Sequence, residues 1–325
     1  MNKKNAKKIT SMIVTIGVII FFVYYFIKNP EVLLSIKNIS FGHIVLIITV
    51  QIIILLFYAF LNHIIIKKIQ KDIPLKDNVF LQFANNFLNK VFPKAGIAFR
   101  SLYLKEVYKF PYSKFISTLS GVYVISFISY SIASFVVFYL IYIQKGVYNY
   151  YLIIAFIGIF LLSLLFIFLP TNFFAKKEGK VFKILDSIMQ GWSIIKKDLF
   201  FVLLLTVVTI VVLIFNTFQM QIIYRALGLE ISYLSVLFLS IISLLTLFIN
   251  ITPEAIGIKE GIYAYSADII SIPSNFLVLG SLVDRGISIV ISVIFGGASY
   301  LWLLKKYNML DRNKIVENKK IENKG

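Results

Sequence analysis

The sequence predicts an all-α polytopic membrane protein with about six full transmembrane helices and two re-entrant helical hairpins arranged as an inverted repeat. Three observations predict it. Apolar residues make up 59% of the 325-residue chain against 15% charged residues, and the mean hydropathy is +0.87, far above that of an average soluble domain. Several apolar runs exceed the ~20 residues a helix needs to cross a bilayer. The net charge of +18 is carried mostly by lysines just outside those runs, where the positive-inside rule and anionic headgroups place them. Nucleic acid is therefore not expected as a partner. The chain has no cysteine, which excludes disulfides, thiolate metal sites and cysteine nucleophiles.

Six runs are long enough to span, at about 9–27, 41–66, 115–143, 150–170, 199–222 and 275–304. Lys3, Lys4, Lys7 and Lys8 precede the first as they would in a signal peptide, but Phe21 to Ile27 is bulky where a cleavage site needs small residues. A retained helix is expected there. Two segments are left over, VFLQFANNFLNKVFPKAGIAFR (79–100) and YLSVLFLSIISLLTLFINITPEAIGIKE (233–260), each with a half that ends in a proline and a glycine. Treated as re-entrant hairpins, they leave the lysine-rich segments 1–8, 67–78, 94–114, 171–198 and 305–325 on one side. Both termini are then cytoplasmic in a multi-pass plasma-membrane protein. Full spans would instead place Lys94, Arg100, Lys105, Lys109 and Lys114 outside.

Between the halves, Val181, Leu185, Ile188, Trp192 and Ile195 recur at helical spacing among lysines. This predicts an amphipathic inner-surface helix over 176–198, with its tryptophan at headgroup depth. Residues 1–308 form one transmembrane domain with repeat halves of roughly 41–143 and 199–304. The Asn/Lys/Glu-rich segment 309–325 is expected to be a disordered cytoplasmic tail.

The leftover segments resemble each other. Pro93 aligns with Pro253, the Gly-Ile pair at 96 with that at 257, and Pro111 with Pro273, the offset drifting only from 160 to 162. Each copy is a half-membrane segment, a break, a charged connector, a second proline and a long helix. Under the charge-derived topology the copies enter from opposite faces, an arrangement common in secondary transporters.

Broken backbone at membrane depth is tolerated only inside protein or beside a wet cavity, because unpaired N–H and C=O groups cannot face lipid. Gln82, Asn85, Asn86 and Asn89 fall at helical spacing and predict one amide face, which either lines such a cavity or bonds to other helices. Arg100 is suited to grip a phosphate in fork geometry or to mark the inner interface. Asp284 and Arg285 interrupt the last apolar run. Such charges are kept for a pathway or for a fixed ion pair. Asp284 lies on a stripe of Gly280, Ser288, Ser292 and Gly296, predicting a close helix contact. In the repeat-related helix the matching residues are Val122 and Tyr123, so the charge is asymmetric between the halves. His43 and His63 stand about 30 Å apart along one helix and cannot share a metal.

The breaks FPKAGIAFRSLYLK and TPEAIGIKEG, with a late intramembrane Asp-Arg pair, resemble the lysylphosphatidylglycerol synthase transmembrane region family, also called flippase-like domain proteins, over roughly 10–305. Pro93, Gly96 and Arg100 fit its first motif; Pro253, Gly257, Glu260 and Gly261 fit its second, with Lys259 where arginine is usual. Ala255 and Ile256 replace glycines, and Val122-Tyr123 replaces a Glu-Arg pair. The resemblance implies a stand-alone lipid translocator, without the cytoplasmic aminoacyl-transfer domain of the bifunctional members and not an enzyme acting alone. It would move a phospholipid or a polyprenyl-linked or aminoacylated lipid between leaflets. The alternative is a membrane subunit or scaffold for a lipid-modifying transferase such as phosphatidylglycerol lysyltransferase. A proton- or ion-coupled small-solute carrier titrating at Asp284 ranks below both. The expected substrate-binding residues are Asn85, Asn86, Asn89, Pro93, Gly96, Arg100, Pro253, Glu254, Gly257, Lys259, Glu260, Asp284 and Arg285. No catalytic residue, metal or cofactor is expected. The partners are membrane lipid and, in the alternative, a transferase; a homo-oligomer is left open.

Overall fold

The computed structural model describes residues 39–69, 73–92, 94–170, 173–174, 179–247, 255 and 257–307, and these are helical without a strand. The expected first helix at 9–27 and the tail lie outside them, as do Pro93, Pro253, Glu254 and Ile256. Five helices among the described residues are long and apolar enough to cross a membrane. They coincide with the other five apolar runs, and the protein is an all-α polytopic membrane protein.

Helix α1, Phe41–Ile69, is about 43 Å long at 1.5 Å per residue, enough to span, and stops where Lys67 and Lys68 meet water. Next come α2, Leu75–Val91, and α3, Ala95–Tyr108. At roughly 25 and 21 Å both fall short of a ~30 Å hydrocarbon core. They fold back on each other through Lys94, whose φ of 65° is left-handed. The Ala95 amide donates to the Phe92 carbonyl at 3.1 Å across the turn, and the Gly96 amide donates to Asn89 Oδ1 at 2.9 Å. The helices cross so closely that a Cβ on Gly96 would lie 2.1 Å from the Asn85 carbonyl oxygen.

Helix α4, Tyr112–Lys145, starts at Pro111 and ends at Gly146, whose φ of 66° gives the left-handed cap glycine favours. It is followed by α5, Tyr150–Phe168, capped by Asn149. Ile154, Leu161, Leu162 and Leu165 on α5 are exposed, as suits an outer helix against lipid. Helix α6, Lys180–Lys196, packs on α4. Its Trp192 and Ile195 are buried among Val124, Ile125, Phe201 and Leu205. The tryptophan expected at headgroup depth is therefore covered by protein. The physical reason is that the first half of α4 offers an apolar surface closer than lipid, opened for Ile195 by Gly121.

Helix α7, Leu199–Ala226, is capped by Asp198, which also pairs with Lys68 of α1. Helix α8, Tyr233–Ile242, tightens into a 3₁₀ turn at Ser243–Leu247. Two short helices, α9 at Ile258–Tyr265 and α10 at Ala267–Ile270, lead to α11, Ser274–Ile291. That helix passes through a π turn at Ser292–Gly296 and continues to Tyr307. The π turn faces α2. Asn86 donates to Ser292 Oγ at 2.8 Å, and a Cβ on Gly296 would lie 2.7 Å from the Phe83 carbonyl oxygen. Gly280 likewise admits the Tyr224 ring, so the predicted small-residue stripe is a packing face against α7 at one end and α2 at the other. The main apolar cluster lies around Tyr224, Phe238, Tyr263 and Leu277.

The same backbone conformations occur near both prolines. Lys109 and Ser271, with φ of 56° and 57°, close the short helices two residues before Pro111 and Pro273, which begin α4 and α11 in extended conformation. Left-handed Lys94 and Ala255, with φ of 65° and 53°, precede the returning helices α3 and α9. Side chains at these four non-glycine positions do not share a chemistry, so chain direction is what recurs.

The last helix is anchored to the first hairpin by Asp77, which is only 2% exposed. Its carboxylate accepts from Lys306 Nζ at 2.6 Å and from the Tyr108 hydroxyl. Gly96→Ala forces the α2–α3 crossing apart and is expected to cost about 1–3 kcal/mol, read as a lower melting temperature in detergent. Gly158→Ala, where nothing lies within 4 Å of the added methyl, is the control and should leave it unchanged or higher.

Candidate functional site

A cavity of about 280 Å³ lies between α1, α2, α3, α4 and α7, closed at one side by Leu244 of the 3₁₀ turn. Helical periodicity builds its polar wall. Gln82, Asn85 and Asn89 of α2 share a face and line it, whereas Asn86, about 100° further round, turns to Ser292. The four amides expected on one face are thus split between cavity and helix contact. Asn62 of α1 joins the wall and donates to Gln82 Oε1 at 3.0 Å.

Arg100 projects from α3 into the same wall and is 3% exposed. Its Nη2 donates to Asn78 Oδ1 at a long 3.4 Å, Phe115 presents its ring 5.9 Å from the guanidinium carbon, and Nε has no acceptor. Among the described residues, no Asp or Glu lines the cavity. A buried guanidinium therefore stands beside empty space without a counter-charge among the described residues, an arrangement that costs several kcal/mol unless an anion arrives.

The second break is organised differently. Lys259 and Glu260 are adjacent on α9, Asp284 and Arg285 are adjacent on α11, and the two pairs meet as a two-rung ladder. Lys259 Nζ lies 3.1 Å from Asp284 Oδ2, and Arg285 Nη2 lies 2.8 Å from Glu260 Oε1. Glu260, 3% exposed, also accepts from Ser281 Oγ at 2.9 Å and from the Gly257 amide at 2.8 Å. Asp284 Oδ1 accepts from Gln219 Nε2 at 2.8 Å, and that nitrogen also reaches Gln51 Oε1 at 2.6 Å. Two positive and two negative charges balance here, although Nε and Nη1 of Arg285 lack acceptors.

Of the residues singled out in the sequence, Asn85, Asn89 and Arg100 therefore line the cavity. Gly96 makes the helix crossing, and Gly257, Lys259, Glu260, Asp284 and Arg285 form the ladder and its cap. The ladder residues are not among those lining the cavity. Pro93, Pro253 and Glu254 lie outside the described residues. His43 bonds to Ser40 and His63 to Asn78, each on its own. The sequence reading overlooked Asn62, Tyr58 and Tyr130 in the cavity wall, and Gln51 and Gln219 beside the ladder. Their signal was available, since amides inside apolar runs are uncommon at membrane depth.

The ladder should act as a clamp between α9 and α11. Glu260→Gln leaves the Arg285 guanidinium buried without a carboxylate and is expected to destabilise by about 3 kcal/mol. Adding Arg285→Gln should recover more than half of that loss, since no charge is then stranded; thermal unfolding of the two variants in detergent measures it.

Comparison with known proteins agrees with this architecture. A search of the curated proteins and a search of the solved structures returned no match. The family model for the lysylphosphatidylglycerol synthase TM region matches residues 9–296, and with nearly the whole chain covered, the protein belongs to that family.

Proposed function

We propose that this chain is a lipid translocator of the plasma membrane with both termini cytoplasmic, moving a lipid headgroup through the protein by rocking one repeat half against the other. The observation that carries this reading is the amide-walled cavity with its buried, uncompensated Arg100. Polar and ionisable groups inside a membrane protein are retained where a pathway or a polar ligand uses them. An isolated guanidinium between spanning helices is best explained by a passing anion. The family's description, a transmembrane region of a lipid synthase, supports lipid as the cargo. The ladder would then be the rigid partner against which the first hairpin moves, and Lys259, Glu260, Asp284 and Arg285 would shape the path rather than grip the headgroup.

The same description favours a second reading, in which the chain is the membrane subunit of a lipid-modifying transferase. Exposed Lys183, Lys196 and Lys197 on and after α6 would then be the docking surface. Co-purification of a lipid-modifying transferase, lost on changing these lysines to glutamate, is the outcome that reading requires.

In liposomes carrying fluorescent lipids, the purified protein is expected to accelerate leaflet exchange, and Arg100→Gln to slow it at least tenfold. No acceleration with any anionic, aminoacylated or polyprenyl-linked lipid would overturn the translocator.

A further inference from the structure

The two halves treat the charge on their returning helices in opposite ways. In the second half a cation on the returning helix, Lys259 of α9, meets a carboxylate on the following long helix, Asp284 of α11, at 3.1 Å. In the first half the returning helix α3 carries Arg100, and the long helix α4 places Val122 and Tyr123 in the same cavity wall. These are the residues that the repeat aligns with Asp284 and Arg285. The first half has its cation two positions beyond Ala98, the residue aligned with Lys259, and carries no carboxylate at the position aligned with Asp284; a cavity stands there.

We propose that the missing negative charge is supplied by the ligand. On the reading of the protein as a lipid translocator, the cavity takes the phosphodiester of a lipid whose headgroup is polar but carries no positive charge, and it disfavours aminoacylated, cationic headgroups. Arginine's planar fork matches two phosphate oxygens, and here Nε is without an acceptor while Nη2 holds only a long contact to Asn78. The rest of the polar wall is neutral. Asn62, Gln82, Asn85 and Asn89 offer amide donors and acceptors suited to hydroxyl groups, and among the described lining residues there is no carboxylate to neutralise an ammonium. A lysyl headgroup would bring two positive charges towards Arg100 with nothing to offset them, a repulsion that weak dielectric screening enlarges. The volume of about 280 Å³ lies at the small end of ligand pockets. It accommodates a phosphate with a few further heavy atoms.

The test uses the full chain in detergent with fluorescent phosphatidylglycerol as the probe. Competing ligands are unlabelled phosphatidylglycerol, lysylphosphatidylglycerol and water-soluble glycerol 3-phosphate. Phosphatidylglycerol should displace the probe at least tenfold better than lysylphosphatidylglycerol. Glycerol 3-phosphate should displace it weakly, since it shares the anion and lacks the chains. Val122→Asp should supply the carboxylate within the protein, abolish probe binding and leave the melting temperature equal or higher. Asn85→Asp serves the same purpose if Val122→Asp does not fold. Equal displacement by lysylphosphatidylglycerol, displacement by glycerol 3-phosphate as strong as by the lipid, or undiminished binding by the aspartate variants would overturn the inference. Leaflet exchange without headgroup preference would leave the translocator standing and remove this selectivity. The stated binding preference without leaflet exchange would do the reverse.

Discussion

The crossing of α2 over α3 is the constraint on which the rest of the first half depends. A chain that reverses inside a membrane protein must satisfy its broken backbone within the protein. Here the reversal is held by backbone bonds around left-handed Lys94 and by Asn89, which accepts from the Gly96 amide. The glycine lets the two backbones touch. Because the helices are so close, Arg100, one turn further along α3, faces back between them beside Asn78 instead of reaching water. With a bulkier residue at the crossing, the hairpin would splay and the guanidinium would have a route to solvent.

Around that crossing, the molecule settles its intramembrane charges in two ways. The ladder between α9 and α11 balances two cations with two carboxylates and fixes each carboxylate with further donors. Such an arrangement is costly to disrupt and has little attraction left over for a charged ligand. The Arg100 cavity is the reverse, with one cation, a neutral wall and room. The proposed translocation would use both, because a gripping group must exchange its partner while the frame around it stays assembled. The Asp77–Lys306 contact belongs to the frame, tying the end of the last helix to the hairpin that carries Arg100.

Much of this was legible beforehand. Five of the six apolar runs appear as helices of nearly the predicted extent, because long unbroken apolar stretches leave the backbone no choice but helix in lipid. The paired prolines marked the starts of α4 and α11 correctly, since proline is accepted at a helix start and not in its interior. The amide face was read one residue too wide: Asn86 has the right composition but the wrong angle. Trp192 was read as a headgroup anchor because an amphipathic helix looks the same whether lipid or protein covers its apolar face.

By itself, the sequence determined the class of protein, the order of its long and short helices, the two breaks and the presence of a charge pair in the last helix. These follow from local properties: hydropathy over a bilayer's width, proline and glycine at fixed positions, and the cost of charge in lipid. Only the tertiary structure decided which charges are neutralised. Lys259 and Asp284, like Glu260 and Arg285, stand 25 residues apart, and whether they meet depends on how α9 packs on α11. Arg100 and Lys259 look alike as basic residues following a break, and their difference lies in what the facing helix presents: Asp284 in one half, Val122 and open space in the other.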